Sequence, residues 1–107
     1  MNKYRDKSDY EINKAVAECK YGIGCTGKTQ GGDVIVFTDS FTAVFDPCNN
    51  PADAMPIVIE NGISSLFNGD EWICSVQYTE FLSINESLYR AAMEVFLMMK
   101  DAENEKI

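Results

Sequence analysis

Phe45-Asp46-Pro47-Cys48-Asn49-Asn50-Pro51-Ala52-Asp53-Ala54 compresses a strand end, a turn and a helix start into ten residues. Asn50 followed by Pro51 reads as an N-cap with proline at the first helical position, where its missing N–H leaves no bond unmade. Asp53 adds negative charge to the first turn, against the positive end of the helix dipole. The helix is expected to run to about Asn61, with Gly62 as its stop. Pro56 falls inside it and predicts a kink near the middle.

Working back from this stretch, Val34-Ile35-Val36-Phe37 and Phe41-Thr42-Ala43-Val44-Phe45 read as short strands able to pair as a hairpin around Asp39-Ser40. Residues 22–32 hold five glycines and read as a mobile loop. Before them, Ser8-Asp9-Tyr10-Glu11 is a capping box that opens a helix. Its apolar positions Ile12, Ala15, Val16 and Cys19 recur at helical spacing, so Asn13, Lys14 and Glu18 are expected to face water.

In the other direction, Asn68-Gly69 is a strong hairpin signal joining Ile63–Phe67 to Trp72–Tyr78. The last element is expected to start near Asn85 and reach about Asp101. Leu88, Ala91, Ala92, Val95, Phe96 and Met99 form a broad apolar stripe, and Met93, Leu97 and Met98 spill past it. A helix that apolar is either central to the domain or shared with a partner. An isologous homodimer through residues 88–99 would bury the excess. The element order predicts an α+β fold in one domain spanning residues 1–107. Its expected architecture is an α-β-α sandwich, with a small antiparallel or mixed sheet packed against three helices.

Composition narrows the function. The chain has no histidine, which removes His-based general base catalysis, Ser-His and Cys-His triads, and most zinc sites. Its four cysteines, Cys19, Cys25, Cys48 and Cys74, show no CxxC spacing and are expected as reduced thiols. No metal, cofactor or catalytic set is expected. A net charge of −8 opposes direct contact with a nucleic-acid backbone. The acidic residues are spread from Asp6 to Glu105, which suits a solvated surface better than a nucleic-acid mimic. The longest apolar run, Val95–Met99, is far too short to span a bilayer, and the polar N-terminus lacks a signal-peptide core. A cytoplasmic protein that does not enter membranes is expected.

One motif misleads. Gly22-Ile23-Gly24-Cys25-Thr26-Gly27-Lys28-Thr29 matches the Walker A pattern letter for letter. That mechanism needs a strand before the loop and a helix after it. Here the order is reversed, so no nucleotide binding is expected.

The stretch from Asp46 to Asp53 remains the richest in chemistry. Asp46 and Asp53 offer carboxylates for a cation, and Cys48 could be activated by the helix dipole, with Asn49 beside them. The structural alternative has Asn50 capping the helix, Asp46 closing an Asx-type turn and Cys48 packing inward. Without histidine or further acids nearby, the structural reading is favoured. Trp72, next to the Asn68-Gly69 turn, is either a partner anchor or a wall of the core at the sheet's edge.

Taken with Pro56-Ile57, Ile59-Glu60-Asn61, Asp9-Tyr10-Glu11-Ile12-Asn13-Lys14 and the terminal Arg90-Ala91-Ala92-Met93, the FDPCNNPADA run resembles the NinX family of lambdoid phages. More distantly, the pattern is similar to small phage α-β-α sandwich domains. The resemblance implies a phage or prophage accessory protein, made in the host bacterium and encoded near recombination and late-control genes. It implies no activity and supplies no catalytic residues. With the composition, it favours a non-catalytic domain that binds a host or phage protein. The alternatives are a small enzyme or metal-binding protein using Asp46–Asp53, and an acidic nucleic-acid mimic.

Overall fold

The computed structural model describes residues 2–105. Helix α1 (Asp9–Tyr21) opens on the expected capping box: Ser8 Oγ accepts from the Glu11 amide, and Glu11 Oε1 accepts from the Ser8 amide. Gly22, at φ 103°, ends it in a conformation that L side chains avoid. Strand β1 (Thr26–Lys28) follows, then β2 (Val34–Phe37) and β3 (Thr42–Phe45). Helix α2 (Pro51–Glu60) begins with Asn50 Oδ1 accepting from the Ala52 amide at 3.0 Å, and it runs through Pro56. Strands β4 (Ile63–Phe67), β5 (Trp72–Val76) and β6 (Leu82–Asn85) precede the long helix α3 (Leu88–Glu105).

The fold is α+β, and it holds two sheets in place of one. Strands β1-β2-β3 form one antiparallel sheet and β4-β5-β6 another. The first lies against α1, the second against α3, and α3 also packs on α1 and α2. Each helix therefore has an apolar neighbour on more than one side. Helix α3 carries this furthest: every residue from Arg90 to Leu97 is buried. Of the three residues beyond the main stripe, Met93 and Leu97 are covered by the domain itself and Met98 is half-buried. Much of the excess apolar girth of α3 is thus absorbed internally, while Met98 and Met99 remain half-buried.

Four local expectations are corrected. Residues 26–28 of the glycine-rich segment are a strand, with Thr26, Gly27 and Lys28 paired to Val36, Ile35 and Val34. Gly27 fits because an added Cβ would meet the Phe37 ring at 3.0 Å and Ile35 at 3.2 Å. Leu82–Asn85 is also a strand, so α3 starts three residues later than Asn85. Ser83 faces inward there, where the Glu94 carboxylate accepts its hydroxyl, and this inverts the usual polar-out alternation. On α1, Asn13 is buried and Cys19 is exposed. Asn13 is drawn inward by partners for both its amide nitrogen and its amide oxygen, as described next.

Candidate functional site

The Asp46–Asp53 stretch sits where α1, α2 and α3 meet, and its polar atoms are spent on holding them together. Asn13 Nδ2 donates to Asp46 Oδ1 at 2.7 Å, while Asn13 Oδ1 accepts from the Cys48 amide at 3.0 Å. One side chain of α1 thereby reads both ends of the turn. Asn49 Nδ2 donates to both Asp46 oxygens and to Asp9 Oδ2. The Asp46 amide donates to Asp53 Oδ2 at 2.9 Å, and the Asp46 carbonyl accepts from the Asn49 and Asn50 amides. The turn is closed through the Asp46 backbone carbonyl, while the Asp46 carboxylate takes side-chain amides and the Cys48 amide goes to Asn13, so the expected Asx-type turn does not form.

Those bonds give the polar atoms of the stretch structural partners. Asp46 and Asp53 accept from amides, not from a shared centre, and no group of three potential metal ligands occurs among the described residues. Cys48 is buried, and burial followed by the nearby Asp9 charge pushes its thiol well above the usual range. That environment favours the neutral thiol over the thiolate a nucleophile needs. Trp72 is half-buried and packs on Phe67, ring centroids 5.0 Å apart, at one end of the second sheet. It therefore lies apart from the other four candidate residues.

A second polar cluster continues the first, and sequence reasoning missed it. Arg90, 9% exposed in its side chain, donates from Nε to Glu94 Oε2 and from Nη1 to Asp9 Oδ1, both at 2.6 Å. Its Nη2 donates to the Tyr4 and Lys7 carbonyls at 2.8 and 2.6 Å. Burial disfavours the Arg90 charge, yet the bonds to Asp9 and Glu94 outweigh it and raise its pKa. Glu94, 1% exposed, also accepts from Ser83 and from Asn2 Nδ2. Among the described residues no buried side-chain nitrogen or oxygen lacks a partner. The signal was present: a charged pair at i and i+4 inside an otherwise apolar helical run.

The family assignment rests on nearly the whole of this framework. The family model described as "Bacteriophage P22, NinX" matches residues 3–100. The chain belongs to the NinX family. The matched residues include the capping box, the Asp46–Asp53 turn and the Arg90–Glu94 pair. The phage-family expectation is met on this match. No curated protein and no solved structure matches the chain.

What this NinX-family domain leaves unpaired lies elsewhere. In antiparallel pairs, opposed residues share a face. Cys74 is buried, its Sγ 3.7 Å from the Leu88 carbonyl of α3, so its neighbours Ile73 and Ser75 point away from the helix. Leu66, Ile73 and Ile84 are opposed in one row on that outer face, and Leu82 lies in the next. Leu66 is 67% exposed, and Leu82 and Ile84 are exposed as well.

The second feature is electrostatic. No lysine or arginine occurs between Lys28 and Arg90, a span that carries nine acidic residues. The even spread of acids along the chain conceals a complete segregation of the bases. Counting bases by segment, rather than acids alone, exposes it.

Proposed function

We propose that this chain is a non-catalytic protein-binding domain, a phage accessory protein acting on a host or phage protein. The observation that carries the reading is the outer face of the second sheet. Antiparallel sheets with one solvated side ordinarily turn polar residues outward. Here a row of three aliphatic residues crosses all three strands, while the chemically capable residues at Asp46–Asp53 and Arg90–Glu94 are consumed in internal bonds. Cross-strand packing accounts for part of that row. It does not account for Leu66, which stands largely in solvent.

The metal or enzyme reading of Asp46–Asp53 has no observation in its favour. No helix among the described residues is long and apolar enough to cross a membrane, in keeping with a partner met in solution. A photo-crosslinking residue placed at position 66 of the full chain, expressed in phage-infected cells, tests the proposal. The expected result is a discrete protein adduct that disappears with Ile84→Thr and is absent when the crosslinker stands at Glu60. Equal labelling from both positions, or no protein adduct from position 66, overturns it.

A further inference from the structure

The charge around the outer face of the second sheet says what kind of protein fits it. Four acidic residues flank the apolar row: Asp70 and Glu71 in the β4–β5 turn, Glu80 in the β5–β6 turn, and Glu86 just after β6. The first two and Glu86 lie at the end where Phe67, Trp72 and Asn85 are paired, and Glu80 lies at the other. None of the four is in an ion pair among the described residues. The nearest bases in sequence are Lys28, in the other sheet, and Arg90, which is buried; in space Lys3, paired to Asp101, shares a cavity with Glu80 and Leu82.

Resting on the reading above, we infer that this face docks a protein surface with an apolar centre and a lysine- or arginine-rich rim. Unpaired carboxylates at both ends of the face favour a basic partner and steer its approach. The same charge argues against a second copy of this chain, since an isologous contact would bring like acidic rims together. It equally repels phosphate backbones and anionic lipid surfaces. The aliphatic row supplies what the rim cannot, a dry centre whose burial drives association. An acidic nucleic-acid mimic would also choose a basic partner, but its contact would reside in the carboxylates alone.

The test uses the full chain, isotope-labelled, and three synthetic peptides of equal length with strict alternation: Leu/Lys, Leu/Glu and Ser/Lys. The expected result is that only the Leu/Lys peptide binds, shifting the amide resonances of Leu66, Ile73, Leu82 and Ile84. Binding should weaken as salt rises from about 0.05 to about 0.5 M, because the rim contribution is screened. The double variant Leu66→Thr, Ile84→Thr should weaken it by at least about tenfold without altering the net charge. Replacing Asp70, Glu71, Glu80 and Glu86 by their amides should flatten the salt dependence. Circular dichroism checks that each variant stays folded, and Leu66→Ala with Ile84→Val serves if the threonine pair does not.

Equal binding of Leu/Glu, or resonance shifts confined to other surfaces, overturns the inference. Equal binding of Ser/Lys favours the mimic and overturns it too. A concentration-dependent dimer abolished by the threonine pair would mark the face as a self-interface and would likewise overturn it. An adduct from position 66 whose partner surface is neutral or acidic would sink this inference and leave the protein-binding reading standing.

Discussion

Replacing Arg90 by methionine should be the most damaging single change in the polar framework. The aliphatic stem is nearly preserved, so the loss is chiefly that of the guanidinium and its bonds. Glu94, 1% exposed, would keep a carboxylate whose Oε2 has lost its only charged partner. Removing one member of a buried pair costs about 3–5 kcal/mol, because the remaining charge is left uncompensated. The Lys7 carbonyl also loses its Arg90 donor and the Tyr4 carbonyl keeps only the Lys7 amide, but both lie in the N-terminal segment and can turn to water once it loosens. Against a total stability of roughly 5–15 kcal/mol for a domain of this size, that is a large fraction.

Urea titration followed by Trp72 fluorescence and far-ultraviolet circular dichroism measures the effect. Hydrogen exchange should locate it in residues 2–9. The double variant Arg90→Met, Glu94→Leu removes both charges and should be less destabilised than Arg90→Met alone, a coupling that a double-mutant cycle reads directly. If Arg90→Met costs less than about 1 kcal/mol, or the two changes simply add, the pair does not hold the N-terminal segment, Asp9 and α3 together as described.

Other outcomes follow from single contacts. Asn50→Ala should cost about 1 kcal/mol in thermal or urea unfolding, and Asn50→Ser much less, because only the first removes the cap on the Ala52 amide. An equal loss in both would refute capping. Burial pushes Cys48 upward and Cys74 up to about 11, so both thiols stay protonated in the folded chain above about pH 8.5, where unfolded thiols ionise. The unfolded state then binds fewer protons, so stability should fall as pH rises through that range, less steeply in Cys48→Ala. A pH-independent stability from about pH 8 to about pH 10 would contradict this. Tyr78, 96% exposed at φ 66°, occupies a left-handed conformation costly for a bulky side chain. Tyr78→Gly should raise stability by up to about 1 kcal/mol, and a clear loss of stability would show that the ring is held by contacts.

Local bonding made much of the chain legible by itself. The Ser8 and Asn50 caps, the proline at position 51 and the Asn68-Gly69 hairpin depend on residues a few positions apart, and such residues meet in any compact fold. The family, too, was legible, because the motif from Phe45 to Ala54 is carried by sequence and the match extends over residues 3–100.

Long-range pairing decided the rest. Asn13 is polar at a surface position of its own helix, and only the arrival of Asp46 and Cys48, more than thirty residues away, turns it inward. Leu82–Asn85 alternates too briefly to declare a strand, and it becomes one because β5 offers it a ladder and Glu94 receives Ser83. The breadth of the apolar face on α3 had two meanings in the sequence, a central helix or a shared one. The second sheet and the other two helices cover Met93 and Leu97, which makes α3 central to the domain, and an exposed apolar row stands on the outer face of β4-β5-β6. Which face of a strand meets solvent depends on what packs against the other, and that is a property of the assembled domain.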